Sequence, residues 1–248
     1  MSSFCNPNLP ASAVTDVVIS GEYSYIKDEL NRLGVSTITT QPSLCLPLYE
    51  RYHPDMQFSY FKKGNVAINK NTPILAKQLA DIGVKINYTY SNILPEYPYN
   101  IYYNHILLGE FLVCNAKYTD EFVYKYCCEN NFKVINVKQG YTKCSTAIVS
   151  DNAIITSDNG IYNSCKRHID VLKIEPGFIN LYGYNYGFIG GCCGKLSKDI
   201  LAFTGKINAH KNYMDIKAFL NNHKVNILEL TNKPLVDIGS IIPIKEIL

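Results

Sequence analysis

Residues 59–87, SYFKKGNVAINKNTPILAKQLADIGVKIN, contain one complete structural unit of this chain. The segment begins with a hydrophobic pattern that predicts a β-hairpin turning at Lys63-Gly64. Thr72 then provides a helix N-cap, and Pro73 takes the first helical position, to which its fixed φ is suited. Apolar residues follow at helical spacing as far as Gly83, which ends the helix, and Val84–Asn87 predicts a further strand. The stretch therefore predicts a strand-turn-strand-helix-strand unit.

The same pattern occurs again further along the chain. The predicted turns lie at Gly64, Gly109, Asp151 and Gly194, and they are separated by 45, 42 and 43 residues. Because unrelated hairpins would not be spaced so evenly, the spacing indicates an internal repeat. The sequence therefore predicts four whole units.

The remaining signals lie at the two ends of the chain. Strand, helix and strand patterns cover Val17–Thr39, and Val236–Ile244 supplies strand residues from the other end. A composite fifth unit made from these segments would close a ring, which removes open strand edges. We therefore predict an α/β fold, a five-bladed propeller of ββαβ units with pseudo-fivefold symmetry. Residues 1–248 are predicted to form it as a single domain.

The composition is that of an ordinary globular protein, with 47% hydrophobic and 18% charged residues in a chain of 248. The net charge of +3 is scattered, without the basic runs of a nucleic-acid surface, so no nucleic-acid partner is expected. No signal peptide and no apolar run of about 18 residues is present, so neither secretion nor membrane insertion is expected. The nine cysteines are an odd number, which favours reduced thiols in the cytoplasm.

Five ββαβ units around a pseudo-fivefold axis, one of them shared between the termini, resemble the pentein fold of the guanidino-group-modifying enzymes. This superfamily includes arginine deiminases, dimethylarginine hydrolases and amidinotransferases, and the chain looks closest to uncharacterised pentein-like proteins of clostridia. In the enzymes, a Cys nucleophile follows a Gly-x-Ser-x-His-Cys-like strand near the C-terminus. This chain keeps Gly239-Ser240-Ile241, but Ile242 and Pro243 stand where the family has His and Cys.

The other motifs of the family are also changed. Gly187–Gly190 supplies neither residue of the family's His-x-Asp pair, and Lys143–Thr146 stands where a Gly-Gly-Asp-like motif is expected. Asp55 matches a carboxylate that grips the guanidinium group in the enzymes, although Pro54 replaces the usual Arg. The resemblance therefore implies a cavity for a small polar or cationic ligand, without the usual nucleophile.

In such a ring, the residues that lead into the first strand of each unit face a central cavity. His53 and Asp55 lie two residues apart in one such segment, which suits acid/base work by the imidazole. The alternative is a loop His followed by a turn-forming Asp. Asp237 and Ser240 flank Gly239 in the predicted closing strand. Both could bind a ligand, or they could cap a turn and fill a strand.

Two cysteines are candidate nucleophiles. Cys144 follows Lys143, and a nearby cation can hold a thiol as the nucleophilic thiolate, although a buried inert thiol is the alternative. Cys192 lies in Gly-Gly-Cys-Cys-Gly, residues 190–194, where glycines in a strand indicate a close backbone approach or simply a crowded ring centre. Strand alternation predicts that Cys192 and Cys193 face opposite sides.

A metal or cofactor site has weaker support. His53, Asp55, Cys144 and Cys192 are suitable ligand types, but no Cys-x-x-Cys or His-x-x-x-His spacing is present. The sequence also lacks a phosphate loop and a dinucleotide fingerprint. We therefore predict neither a metal nor a cofactor.

The sequence predicts a pentein-like protein whose cavity binds a small polar or cationic ligand. If it is catalytic, we expect a Cys-dependent C–N hydrolase or an amidinotransferase-like enzyme. The candidate catalytic residues are His53, Cys144 and Cys192, and the candidate binding residues are Asp55, Lys143, Asp237 and Ser240. The alternative is a ring that has lost its enzyme site and binds a macromolecular partner such as a protein.

Overall fold

The computed structural model describes residues 2–248, which form sixteen strands and five α-helices. The strands make five small sheets, four of three strands and one of four. The composite unit contains β1 (Ser2–Phe4), β2 (Val14–Ile19), α1 (Ser24–Arg32) and β3 (Ser36–Thr39). The first whole unit contains β4 (Phe58–Phe61), β5 (Asn65–Asn69), α2 (Pro73–Asp81) and β6 (Lys85–Thr89).

The next three units repeat this order of elements. The second contains β7 (Ile106–Leu108), β8 (Phe111–Cys114), α3 (Glu121–Glu129) and β9 (Lys133–Asn136). The third contains β10 (Thr146–Ser150), β11 (Ala153–Thr156), α4 (Asn159–Cys165) and β12 (Asp170–Lys173). The fourth contains β13 (Cys193–Ser197), β14 (Ile200–Phe203), α5 (Tyr213–Asn222) and β15 (Asn226–Glu229). Finally, β16 (Ile242–Ile247) returns to the composite unit.

Strand pairing follows one rule in the four whole units. The first two strands are antiparallel, and the third is parallel to the second across the helix. In the composite unit, β16 lies between β1 and β2 and is antiparallel to both, while β3 is parallel to β2. The predicted five-unit α/β architecture is therefore confirmed, with the fifth unit built from both ends of the chain.

Local sequence signals explain the first whole unit. Lys63 and Gly64 adopt positive φ of 60° and 66° at the hairpin turn, a conformation in which glycine has no steric cost. Thr72 is the N-cap residue and Pro73 begins α2, although the Thr72 hydroxyl donates to the Asn69 carbonyl and not to a helix amide. The predicted boundaries of this unit are thus set by its turn and cap residues.

Five buried apolar clusters hold the ring together, and each joins two neighbouring units. Representative partners are Ile244 with Phe58, Phe61 with Leu112, Ile106 with Ile154, Ile155 with Phe203, and Ala202 with Ile19. Because these contacts run through all five units and return to the first, the ring is closed by side-chain packing. Such burial is the main favourable term in folding.

Two boundaries differ from the sequence prediction. The fourth hairpin turns at Lys198-Asp199 and not at Gly194, which lies inside β13. A Cβ atom at Gly194 would lie 2.0 Å from the carbonyl oxygen of Ile241, so this glycine permits close packing and makes no turn. The closing strand begins at Ile242, so Asp237 and Ser240 lie in the loop before it. Among residues 2–248, no helix has the length and apolar character that crossing a membrane requires.

Candidate functional site

The loops that lead into the first strands meet near the ring axis. Each of the five units contributes to this meeting point: Asp55 ahead of β4, Asn104 ahead of β7, Cys144 ahead of β10, Gly190 ahead of β13 and Ser240 ahead of β16. Asp55 lies in the short helical turn Pro54–Met56. The four side chains are at least 98% buried. The repeat of the fold thus brings polar groups that are far apart in sequence into one buried cluster.

Asp55 is the centre of this cluster. The thiol of Cys144 lies 3.1 Å from Asp55 Oδ2, and the hydroxyl of Ser240 lies 2.9 Å from the same oxygen. Lys143 Nζ donates to Ser240 Oγ at 2.8 Å. The Ser240 hydroxyl proton can reach either Asp55 or the Gly190 carbonyl, which is also 2.9 Å away. Asp55 Oδ1 has no hydrogen-bond partner within residues 2–248.

Asn104 fixes the loop that carries the thiol. Its Oδ1 accepts hydrogen bonds from the backbone N–H groups of Lys143, at 2.8 Å, and Cys144, at 3.2 Å. Its Nδ2 donates to Cys144 Sγ at 3.1 Å. The neighbouring His105 borders a small cavity beside Asp55 and Lys143, and burial lowers the pKa of this histidine to about 4. Sequence reasoning missed both residues; their only signal was their place in the first strand of the hairpin predicted to turn at Gly109.

A second carboxylate, Asp237, lies beside His53. Asp237 accepts hydrogen bonds from the backbone N–H groups of Phe188, at 2.8 Å, and Gly239, at 3.0 Å. His53 Nε2 lies 4.0 Å from Asp237 Oδ1, and His53 Nδ1 has no partner among the described residues. Gly239 has φ of +72°, and a Cβ atom there would lie 2.4 Å from His53 Cβ. The glycine therefore allows the closing loop to lie directly against His53.

The site contains more acidic than basic groups. Glu50, Asp55 and Asp237 supply three buried carboxyl groups, against Lys143 and His53, because His105 with its pKa lowered to about 4 carries no charge near neutral pH. Burial raises the pKa of Glu50 and of Asp55, and the nearby His53 and Lys143 partly offset this for Asp55. An added cation would favour the ionised form of both carboxyl groups.

The thiol of Cys144 is held in its protonated form. Burial raises the pKa of Cys144 well above its ordinary value, and the charges of Asp55 and Asp237 raise it further. A thiol is a weak nucleophile until it loses its proton. Lys143, although adjacent in sequence, donates to Ser240 and makes no hydrogen bond to the sulfur within residues 2–248. Activation of this thiol therefore requires a further positive charge beside the sulfur.

His53, Asp55 and Cys144 also form the group of described residues that could hold a metal ion. Their ligand atoms lie within 4.8 Å of one another, and all three side chains are buried. His53 Nδ1 and Asp55 Oδ1 have no hydrogen-bond partner among the described residues, so both atoms are free to bind a metal ion. Imidazole, carboxylate and thiolate are all ligands that zinc accepts.

Aromatic residues cover this end of the ring. Tyr141, three residues before Cys144, packs against Tyr97, with ring centroids 5.8 Å apart, and against Phe188, at 6.2 Å. Tyr49 makes edge contacts with Tyr182 and Tyr184. The cavity that borders Asp55 measures about 30 Å³, which is room for one or two water molecules. A larger ligand therefore needs side chains around this cavity to move aside.

The structure brings together six of the seven side chains proposed from sequence: His53, Asp55, Lys143, Cys144, Asp237 and Ser240. Cys192 is not among them. Its thiol donates to the Ile189 carbonyl at 3.2 Å, inside an apolar cluster. Cys193 donates to the same carbonyl, so the predicted alternation of the two thiols is wrong. The reason is that residues 189–192 form a turn, in which strand alternation does not apply.

Comparison with solved structures identifies the fold. The inosamine-phosphate amidinotransferase of Streptomyces griseus matches with a TM-score of 0.60 and 10% identity, over 92% of this chain and 91% of that one. A dimethylarginine dimethylaminohydrolase of Pseudomonas aeruginosa, complexed with citrulline, matches with a TM-score of 0.54 and 10% identity, over 88% of this chain and 92% of that one. C. jejuni agmatine deiminase matches with a TM-score of 0.52 and 9% identity, over 93% of this chain and 91% of that one. All three are penteins, so the chain has the pentein fold.

Sequence comparison gives a second result. No curated protein sequence matches the chain. A family model described as "Family of unknown function (DUF6873)" matches residues 18–242, which include every residue of the buried cluster. The chain is therefore a pentein-fold member of this family of unknown function.

Proposed function

We propose that the buried cluster binds a small cation of the guanidino or amidine class and that Cys144 attacks its central carbon. The observation that carries this proposal is the 3.1 Å contact between the Cys144 thiol and the Asp55 carboxylate in a site rich in acidic groups. A planar cation beside both groups would pair with the carboxylate and place its carbon next to the sulfur. The pentein fold adds support, because the solved neighbours include amidinotransferases and a deiminase of agmatine.

Charge makes a cationic ligand the best match. Asp55 Oδ1 is buried and unpartnered among the described residues, and an unmatched buried charge is costly. A guanidinium or amidinium group carries several N–H donors in one plane, which suits paired bonding to a carboxylate. The same cation would favour the thiolate form of Cys144 electrostatically. Ligand binding would thus place beside the sulfur the positive charge that favours loss of the thiol proton.

The reaction follows from this arrangement. His53 takes the thiol proton of Cys144, and the sulfur adds to the amidine carbon. As the S–C bond forms and one C–N bond breaks, His53 returns the proton to the departing amine. Water then adds to the sulfur-bound carbon in a hydrolase, or a second amine adds in a transferase, and the thiol is released. Asp55 grips the cation, while Lys143, Asp237 and Ser240 hold the surrounding loops.

We further propose that residues 1–248 act as one domain in the cytoplasm, where thiols stay reduced.

Two matched alkylating reagents test this proposal. Chloroacetamidine is a cation and chloroacetamide is its neutral counterpart of nearly the same size. We expect the cationic reagent to label Cys144 faster, once both rates are divided by their rates with glutathione. Mass spectrometry of tryptic peptides locates the label, Cys144→Ala should abolish it, and Cys192→Ala is the control that should leave it unchanged. A normalised ratio of one or less would show that the site does not select a cation.

A second candidate function is a non-catalytic binding module. The observation that favours it is the tyrosine cluster of Tyr49, Tyr182 and Tyr184, in which Tyr182 is 79% exposed. Tyrosine is enriched in protein interfaces. Recovery of a stoichiometric protein partner that is lost in Tyr182→Ala, together with no selective labelling of Cys144, would decide for this function.

The metal group formed by His53, Asp55 and Cys144 gives a third candidate, a metal-dependent enzyme. Elemental analysis of the purified protein tests it directly. Less than about 0.2 metal per chain would exclude this function, since a site with such ligands retains its metal through purification.

A further inference from the structure

A second cavity has none of the residues of the thiol cluster in its walls. It has a volume of about 620 Å³ and is bordered by the hairpin turns of the second, third and fourth units, at Gly109, Asp151 and Lys198. Cys144 lies two residues before β10, the first strand of its unit, and Asp151 directly follows the last residue of that strand. At about 3.3 Å per residue, the Asp151 end of the cavity is therefore about 15 Å or more from the candidate thiol, while Leu107 separates the cavity from the small one beside Asp55.

The walls of this cavity are mainly apolar. Leu107 and Val149 form the floor and are almost completely buried, and Phe132 forms part of one side. The segment of residues 6–11 contributes Asn6, Pro7, Leu9, Pro10 and Ala11 to the walls. This segment is held in place because the backbone N–H of Ala11 donates to Glu246 at 2.6 Å. The cavity is thus preformed, and its volume is that of a small-molecule site.

Four lysines surround the cavity: Lys62, Lys195, Lys198 and Lys224. Within residues 2–248, none of them forms an ion pair. Two acidic residues, Asp151 and Asp199, also border the cavity, and Asp199 accepts a hydrogen bond from Ser197 at 2.6 Å. The fixed charges therefore sum to a positive value at a concave apolar surface, although the chain as a whole carries only +3.

Lys195 is the buried member of this group. Its ammonium donates to the carbonyl oxygens of Val149, at 3.0 Å, and Lys198, at 2.6 Å. The side chain is 3% exposed, and no carboxylate lies within ion-pair distance among the described residues. Burial of an unpaired ammonium opposes folding, and burial lowers the pKa of Lys195 to about 8. An anion in the cavity would remove this cost.

We propose that this cavity is a second binding site, specific for a small organic anion with an apolar body, such as a carboxylate or a phosphate ester. The lysines hold the anionic group, and the walls formed by Leu107, Phe132 and Val149 cover the apolar part. A concave cavity of this volume favours a small molecule over the flat surface of a protein partner. The site is independent of the thiol chemistry proposed for Cys144.

Fluorescence titration with anilinonaphthalene sulfonate tests this site, because the probe combines one anionic group with an aromatic body. N-phenyl naphthylamine, which has the same body without the sulfonate, is the neutral comparison. We expect saturable binding of the sulfonate at least about tenfold tighter than that of the neutral probe. Competition by octanoate and by octyl phosphate then distinguishes the preferred anionic group. No saturable binding, equal affinity of the two probes, or displacement by neither competitor would overturn the proposal.

Variants locate the binding. Lys198→Glu combined with Lys224→Glu should weaken sulfonate binding at least about tenfold, because two cations at the cavity become anions. Lys27→Glu combined with Lys217→Glu makes the same change of net charge on exposed faces of α1 and α5 and should have little effect. Ala11→Trp fills the cavity without changing charge and should also weaken binding. If the cavity variants bind like the control pair, the site lies elsewhere and the proposal fails.

Discussion

Replacing Asp55 by Asn should stabilise the protein, although Asp55 lies at the centre of the candidate site. The carboxylate is 2% exposed, accepts hydrogen bonds at Oδ2, and leaves Oδ1 without a partner within residues 2–248. Burying the charge of a carboxylate that is only partly paired costs about 1–3 kcal/mol or more. Asparagine keeps the shape and one acceptor oxygen without the charge, so we expect the free energy of unfolding to rise by about this amount near neutral pH.

The pH dependence identifies the cause. Burial raises the pKa of Asp55 in the folded state, so the folded protein binds this proton more tightly than the unfolded chain. Stability from this group is therefore present at low pH and is lost as the pH rises through the raised pKa. The advantage of Asp55→Asn should be near zero at about pH 4 and reach its full value above the raised pKa. His105, whose pKa is lowered to about 4, also makes stability depend on pH in the acidic range. This contribution is the same in both proteins, so it cancels when the stability of the wild type is subtracted from that of the variant.

Thermal unfolding measured by circular dichroism from acidic to neutral pH tests this prediction. For a domain of this size, 1 kcal/mol corresponds to about 2–4 °C in Tm. The control is Asp81→Asn, because Asp81 is 58% exposed in an ion pair with Lys77 and should change stability by less than about 0.5 kcal/mol. A lower Tm for Asp55→Asn near neutral pH would refute the reasoning, because the carboxylate would then stabilise the ligand-free fold.

Three further predictions concern the loops and the cavity. Asn104→Ala removes the acceptor of the Lys143 and Cys144 amides and should cost about 2–4 kcal/mol in urea unfolding; a loss below about 0.5 kcal/mol would contradict this role. Gly190→Ala would place Cβ 2.2 Å from the Lys143 carbonyl oxygen and should cost about 3 kcal/mol or more, so an unchanged urea midpoint would refute the close contact. Burial lowers the pKa of Lys195 from 10.5 to about 8. Between these pH values the unfolded chain therefore binds more protons than the folded protein, so the free energy of unfolding due to this group rises with pH. Lys195→Met should lack this rise, and a pH profile of stability identical to that of the wild type would contradict the prediction.

The sequence predicts most of the fold because its signals are local. Turn residues such as Lys63-Gly64 and the Thr72-Pro73 cap act within a few residues, so each unit can be recognised separately. The fourth turn was misplaced because Gly194 serves a contact with Ile241, which lies 47 residues further along the chain. A glycine that permits a tertiary contact is indistinguishable in sequence from a glycine that makes a turn.

The candidate site was predictable only in part. His53, Asp55 and Ser240 were found because the repeat and the pentein resemblance indicate which loops converge. Asn104 was missed because a single amide in a loop forms no pattern, and its role depends on the distant Cys144 loop. Cys192 was included because its thiol lies in a glycine-rich string, but its direction depends on a turn at residues 189–192.

The position of β16 between β1 and β2 constrains how the chain is made. During synthesis, the four whole units are translated before the strand that completes the composite unit. Until then, β1 and β2 lack their shared partner, and the apolar residues that they bury against the neighbouring units stay accessible to chaperones. Ser240 and Asp237 also arrive only in these last stages, since they immediately precede β16. The buried acidic cluster around Asp55 therefore cannot be complete before residues 237–247 have been synthesised.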